Sequence, residues 1–312
     1  MTLLFVASTG GHLAELHALA PRLGATEHDT WVTFDTPQSR ALLAGYDDVR
    51  FVPPVDHRDG AGALRSLPTA RRILRERQWG GVVSTGAAIA ASYLPLAAAM
   101  GIPSHYIESA ARTAGPSLTG RLAGVTPRVR CYTQYRRWED RRWQYGGSVF
   151  DGYAPAAGVV SRTAPRRVLV VIGTTTFAFD ELVERLEEIV PASVELQWQL
   201  GPATREPERG TWFRTIPSTE LAELHLSVDM VVTHGGVGSA LMALDAGHVP
   251  ILVPRRRARN EHVDDHQQEI AASLASRGLA TACELEELDA SVLLAARRSV
   301  ERVAVPPPFR LS

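Results

Sequence analysis

Short apolar runs, glycine turns and amphipathic stretches alternate along the chain, and the whole alternation occurs twice. Leu3–Ala7 is an unbroken apolar run; beyond Gly10 and Gly11, Leu13, Leu16, Leu19 and Leu23 recur at helical spacing. Thr30–Phe34 and Val49–Val52 read as further strands, with a helix near Pro37–Ala44 between them. Strands that are apolar throughout, rather than at every second position, belong to parallel sheets covered by helices on both faces.

The pattern restarts after Arg166 and Arg167. Val168–Ile172 predicts a strand, Phe179–Ile189 a helix, Val194–Gln199 a strand and Ala222–Leu226 a short helix. Met230–Thr233 and Ile251–Val253 predict strands, Ser239–Ala246 and Asp265–Ser276 helices, the last stopped by Gly278. Asp151–Pro165, rich in Gly, Ala and Pro and without periodicity, marks a linker. The expected architecture is α/β: two Rossmann-like, doubly wound domains, residues 1–155 and 166–312, facing a cleft, with ligands at the carboxyl ends of the strands.

A chain of 312 residues is long enough for two such cores. With 45% hydrophobic and 21% charged residues it is neither disordered, collagenous nor a coiled coil. Cys131 and Cys283 form no CxxC pair and stand beside no His at ligand spacing, so no disulfide framework and no metal site are expected, and a reducing cytosol is the simplest compartment. Met1–Ala7 is too short and uncharged for a signal peptide. The net charge of −1 conceals an asymmetry: residues 1–160 carry 17 Arg against 13 Asp and Glu, residues 161–312 carry 16 against 21, and there is no Lys. A nucleic-acid partner would call for a far more basic domain, whereas a mildly basic front half suits a membrane surface or an anionic acceptor. Residues 78–104 lack Asp, Glu, Arg and His and match a membrane span in length. Glycines at 80, 81, 86 and 101 and prolines at 95 and 103 cut them instead into a strand, Gly81–Ser84, a helix, Ala87–Met100, and another strand.

The candidate chemistry lies where strands end. Ser8-Thr9-Gly10-Gly11-His12 follows the first strand and opens the first helix, with glycines that let a ligand approach the backbone. It is not GxGxxG, which weakens a dinucleotide reading. His12 reads equally as a general base facing the cleft or as a packing residue of a first helical turn. Thr233-His234-Gly235-Gly236-Val237-Gly238-Ser239 repeats the geometry and makes a diphosphate cradle, or else a tight structural turn. Gly173-Thr174-Thr175-Thr176 either touches phosphate or satisfies its own backbone.

Arg255 through Glu269, including Glu261, His262, Asp264, Asp265 and Gln267, leaves a strand's carboxyl end toward sugar and ribose, or forms a solvated loop with an Asp cap. No two of its His and Asp share a helical face with a third ligand, so a metal centre is not expected. Glu108 and Arg112, with Ser117 and Arg121, suit a phosphate-bearing acceptor, or Glu108 and Arg112 form a structural ion pair. Arg136-Arg137-Trp138, Arg141-Arg142-Trp143 and Leu67, Ile73, Leu74 and Trp79 among Arg71, Arg72, Arg75 and Arg77 read as a membrane-facing surface or as solvated helix faces.

At these residues the chain resembles a known family. Gly173–Phe177 with Phe179-Asp180, then Thr233–Ser239, then Glu261–Gln267 are similar to the C-terminal domain of GT-B glycosyltransferases of the family 28 type, most closely the donor-binding subunit of bacterial two-subunit exopolysaccharide glycosyltransferases. Gly10-Gly11-His12, Glu108–Arg112 and Pro116–Leu122 resemble the partner subunit, so the chain looks like a fusion of the two over residues 1–280. Both pairs are similar to the two-part eukaryotic transferase that adds the second GlcNAc to the dolichol-linked glycan.

The resemblance implies an inverting, metal-independent transfer of a hexose or HexNAc from a UDP-sugar, a co-substrate rather than a cofactor, to a lipid-linked (polyprenyl diphosphate) glycan acceptor in polysaccharide biosynthesis. The enzyme would be cytoplasmic, peripheral on the inner membrane surface. Carried over, Gly235, Gly236, Gly238 and Ser239 cradle the diphosphate, with Gly173, Thr174 and Thr175 closing over it and His234 on the same donor side. Arg255, Glu261, His262, Asp264, Asp265 and Gln267 complete the donor side. Gly10, Gly11, Arg112, Ser117 and Arg121 meet the acceptor, with His12 as base and Glu108 in reserve. Two features depart from the pattern: Met242 stands where a more distant relative has an acidic ribose ligand, and the chain enters its first strand without a membrane anchor. The rival readings are a UDP-sugar epimerase, a non-catalytic nucleotide-sugar-binding partner of a membrane synthesis complex and, more distantly, a nicotinamide oxidoreductase.

Overall fold

The computed structural model describes residues 2–56, 59–157, 163–174, 177–259, 266–295 and 298–311. The chain divides into two compact units: residues 1–151 with 306–312, and residues 152–305. The last stretch therefore packs in the first unit, not in the second domain where the sequence pattern ends it. The Phe309 amide donates to the Arg22 carbonyl, the Arg22 side chain donates back to the Pro307 carbonyl, and the Phe309 ring meets Tyr132 edge-on.

In the first unit, β1 (Leu3–Val6), α1 (Gly11–Leu19), β2 (Thr30–Phe34), α2 (Pro37–Leu42), β3 (Asp48–Val52) and α3 (Gly60–Arg75) precede β4 (Gly81–Ser84), α4 (Ala87–Ala99), β5 (Ser104–Ile107), α5 (Leu118–Val125), β6 (Val129–Thr133) and β7 (Trp143–Tyr145). The seven strands are all parallel, in the order β3-β2-β1-β4-β5-β6-β7. Alternation within β1 sends Leu4 and Val6 into the core beneath α3 and α4, while Phe5 stacks on Trp31 at the other face, ring centroids 4.7 Å apart. Residues 78–104 are thus β4, α4 and the start of β5 in a covered sheet. Among the described residues no helix is long and apolar enough to cross a membrane.

Four residues read as part of a membrane-facing surface or of solvated helix faces lie in neither. Ile73 and Leu74 on the inward face of α3, Trp79 in the connection to β4 and Trp143 on β7 are all buried in this core. Exposed apolar residues of this unit include Leu64 on α3 and a group on α5, where Leu118, Leu122 and Val125 stand at one-turn spacing, 68%, 44% and 79% exposed. Arg121 and Arg128 flank them and are also exposed.

The second unit begins at β8 (Tyr153–Pro155) and continues through β9 (Arg167–Val171), α6 (Asp180–Ile189), β10 (Glu195–Gln199), β11 (Thr211–Phe213), α7 (Ser218–Ser227) and β12 (Met230–Thr233). It closes with α8 (Val237–Asp245), β13 (Ile251–Leu252), α9 (His266–Ser276), β14 (Thr281–Ala282), α10 (Ala290–Leu294) and β15 (Val300–Arg302). Six parallel strands run β11-β10-β9-β12-β13-β14, and β15 pairs antiparallel with β8. Val168 and Val170 point to one apolar layer and Leu169 and Val171 to the other, so β9 is covered on both faces. In each sheet the strand order reverses once, between β1 and β4 and between β9 and β12. Such a reversal leaves a crevice at the carboxyl ends of the two strands.

Candidate functional site

In the first unit the crevice is lined by the turns after β1 and β4. Gly10 caps α1 with φ 78°, a left-handed conformation suited to glycine, and its amide donates to Gln38 Oε1 at 3.1 Å. Gly11 and His12 form the first turn of α1. His12 Nδ1 lies 3.0 Å from the Thr85 carbonyl, and the Thr85 hydroxyl donates to the His12 carbonyl at 2.8 Å. A carbonyl only accepts, so Nδ1 carries the proton and the lone pair of the neutral ring falls on Nε2. Gly86 has φ 113°; a Cβ there would stand 2.9 Å from the Tyr106 hydroxyl and 3.4 Å from His12 Cε1. Only glycine lets the β4 turn pass so close to both.

Glu108, beyond β5, sits behind this turn and is buried. One carboxyl oxygen accepts from the Tyr106 hydroxyl (3.2 Å) and the Ser109 amide (3.3 Å), the other from the Ser117 amide (2.8 Å) and hydroxyl (3.1 Å). Burial raises its pKa despite these bonds and the nearby charge of Arg112. With both oxygens engaged, Glu108 is a hub that holds a turn, a geometry poorly suited to the reserve base. Ser117 is likewise engaged: its oxygen also accepts from the Gly120 amide and caps α5. A side chain at Gly120 would collide with the Glu108 carboxylate, so helix and hub meet through a glycine. Arg112 is half-buried, and Arg121 points outward on α5.

In the second unit the turns after β9 and β12 converge on one imidazole. The buried His234 ring fills the space between Gly173 and Gly236; a Cβ on either glycine would strike it. Gly173, at φ 85°, is fixed by Gln199, whose amide side chain accepts from the Gly173 amide (2.8 Å) and donates to its carbonyl (3.1 Å). Thr233 donates its hydroxyl to the Val171 carbonyl at 2.7 Å, stitching the strand ends together. Gly236 caps α8, and the Ala240 amide is bonded to the Gly236 carbonyl. The earlier amides of that first turn, at Val237, Gly238 and Ser239, have no acceptor in the helix and suit an anion. Gly238 and Ser239 are partly exposed there, as is Thr174 more fully at the β9 turn.

Arg255 is fully buried beside these turns: its guanidinium donates to the Ile172 carbonyl at 2.8 Å and lies over the Phe179 ring, 5.5 Å from its centre. Gln267, expected to face sugar or ribose, is buried and accepts from the Arg255 amide at 3.0 Å. Its backbone carbonyl would stand 2.7 Å from a Cβ on Gly235, so the first turn of α9 packs directly under the cradle. His234 and Gln267 thus shape the site from behind. Met242 is half-buried on α8. Thr175, Glu261, His262, Asp264 and Asp265 lie outside the described residues.

Thr85, Gly86, Glu15, Gln134, Gln199 and Gly201 were not anticipated. The first two carried a signal: Ser84-Thr85-Gly86 at the end of β4 repeats Ser8-Thr9-Gly10 after β1. Gln199 and Gly201 carried none, since their role comes from the neighbouring strand; a Cβ on Gly201 would collide with the Gly173 carbonyl.

Residues 167–302 match the glycosyltransferase family 28 C-terminal domain. The chain is a glycosyltransferase. Its fold is GT-B, and solved structures similar to it span nearly its whole length. MurG of Acinetobacter baumannii is 18% identical, over 94% of this chain and 89% of that one, with a TM-score of 0.55. The spinosyn rhamnosyltransferase SpnG, complexed with thymidine diphosphate, is 18% identical over 90% and 86%, with a TM-score of 0.55. A putative UDP-N-acetylglucosamine 2-epimerase from Listeria monocytogenes is 12% identical over 88% of each chain, with a TM-score of 0.57. No curated protein matches the glycosyltransferase in sequence.

Proposed function

We propose that the enzyme transfers a hexosyl or N-acetylhexosaminyl group, with inversion and without a metal, from a UDP-sugar to a glycan carried on a polyprenyl diphosphate. The second unit holds the donor: Gly235, Gly236, Gly238 and Ser239 offer main-chain amides to the diphosphate, and Gly173 and Thr174 cover it. The first unit receives the acceptor at Gly10 and Gly11, with Arg112 and Arg121 meeting its phosphates. The family 28 C-terminal domain, the diphosphate complex of SpnG and the glycine turns at the β9/β12 reversal support this division.

The observation that carries the chemistry is the His12–Thr85 bond, which leaves the imidazole's basic nitrogen as Nε2. The acceptor hydroxyl gives its proton to Nε2 as its oxygen bonds to the anomeric carbon. The bond from that carbon to the diphosphate oxygen breaks on the opposite face, and UDP leaves with the electron pair. Amides of the α8 terminus, with Ser239, stabilise the charge growing on the diphosphate.

The exposed Leu118, Leu122 and Val125 beside Arg121 and Arg128 support a peripheral seat on the membrane that carries the acceptor. The same reading makes the chain a fusion of the two subunits of an exopolysaccharide glycosyltransferase, related to the dolichol-linked GlcNAc transferase. Incubation with UDP-GlcNAc, UDP-glucose or UDP-galactose should release UDP only when a soluble polyprenyl-diphosphate glycan analogue is present; acceptor-independent conversion would contradict it. The likeness to the putative epimerase favours a second reading, whose mark is an epimer formed from UDP-GlcNAc alone. A chain that binds UDP but turns over neither mixture is a non-catalytic binding partner.

A further inference from the structure

Three residues beyond His12 on α1, and therefore on the same side of the helix, Glu15 is fully buried. Its Oε1 accepts from the Ala110 amide at 2.6 Å and from the Gln134 side chain, and its Oε2 accepts from the Ser109 hydroxyl at 2.8 Å. Gln134, just past β6, also donates to the Glu108 carbonyl at 3.0 Å and accepts from the Val149 amide at 2.7 Å. One carboxylate thus ties the helix that carries His12 to the Ser109–Arg112 turn. The Ala110 amide and the Gln134 side-chain NH2 can only donate to it, and the Ser109 hydroxyl donates as well, the arrangement that suits a carboxylate anion.

We propose that Glu15 is a positioning residue, which in its ionised form holds His12 and the Ser109–Arg112 turn in the geometry that receives the acceptor. The role rests on the reading of His12 as the base. Glu15 touches no reacting atom in this scheme; it acts through α1 and the turn. Its ionisable neighbour across the turn is Glu108, whose negative charge opposes ionisation; Gln134 and Ser109 are neutral, and α1 itself adds His12 and His17. Burial, opposed by the three hydrogen bonds, raises the pKa of Glu15 to about 7, so mild acidification neutralises the anion and weakens the charge-assisted bonds that form the tie. Acidification then removes activity through two protons, one on the base and one on its support.

The test combines transfer kinetics across pH with amide exchange of residues 109–112 in the full chain. Wild type should lose kcat toward acid with a two-proton slope. Glu15→Gln should keep its UDP affinity, lower kcat by about tenfold and show a one-proton slope. Ser109→Ala, which removes one bond to the anion, should move the acid limb to higher pH. Exchange protection at 109–112 should fall below about pH 7 in wild type and stay flat in Glu15→Gln. Wild-type kcat and slope in Glu15→Gln, or an unmoved limb in Ser109→Ala, would overturn the role. If proton-linked loosening is present and no sugar is transferred, Glu15 keeps its hold on the turn and the transferase reading falls instead.

Discussion

His12 and Thr85 are joined twice: the imidazole Nδ1 donates to the Thr85 carbonyl and the Thr85 hydroxyl donates to the His12 carbonyl. The pair spans the point where the sheet of the first unit reverses its strand order, so ring orientation and tautomer are set by the backbone of a neighbouring strand. A backbone acceptor does not titrate, and it holds the ring in place through proton transfer.

Gly86 makes that link sterically possible. Gly86→Ala places a methyl group 2.9 Å from the Tyr106 hydroxyl and forces alanine into φ 113°. Strain of that kind costs about 1–3 kcal/mol, so the variant should melt at a lower temperature. Its kcat should drop by about tenfold or more while UDP affinity holds, because the disturbance is confined to the first unit. Calorimetry and steady-state kinetics check both.

On the donor side, Gly173→Ala should weaken UDP binding by about tenfold, since its methyl group meets the His234 ring and its φ of 85° disfavours alanine. The double variant Gly173→Ala/His234→Ala removes the collision and leaves only the backbone strain. It should therefore bind UDP better than Gly173→Ala alone. Titration calorimetry with UDP measures the difference, and equal losses would mean that the ring does not separate the two turns.

Ionised Glu15 lowers the stability of the first unit. The folded state holds its pKa at about 7, above the ordinary 4.5, so folding favours the protonated form. The sign follows: this group's contribution is most favourable below about pH 4.5 and is lost as pH rises through about 7, by of order 3 kcal/mol. Glu15→Gln has no such loss. Its stability relative to wild type should be greater at pH 8 than at pH 5, read by urea denaturation at each pH. A carboxylate whose ionised form stabilised the fold would have a lowered pKa and give the opposite trend.

The α5 surface has its own test. Replacing Leu118, Leu122 and Val125 together by Gln should reduce sedimentation with anionic phospholipid vesicles by about tenfold without changing UDP affinity. Undiminished vesicle binding would place the membrane contact elsewhere.

Much of this architecture was legible because the strands are buried on both faces. Continuous apolar runs marked β1, β2, β4, β9 and β12, and the glycines after β1, β9 and β12 marked the turns that line the two crevices. What escaped was set by neighbours distant in sequence. β7 and β11 are short edge strands, of three residues each, and carry no long apolar run. Arg-Trp repeats at 136–143 look amphipathic, yet Trp143 is buried against Tyr106, a packing known only once α5 and β7 are in place. Glu108 and Gln267 drew notice as polar residues at strand ends, and both are spent on internal hydrogen bonds. Spacing identifies which residues reach a crevice. It does not reveal which of them already have partners there.

The central claim is that His12 removes the acceptor proton. The most direct measurement is the transfer rate of His12→Ala at saturating donor and acceptor, set beside its UDP dissociation constant. The rate should fall by at least about 100-fold while UDP affinity stays within a few-fold of wild type. A His12→Ala enzyme that turns over at the wild-type rate would contradict it.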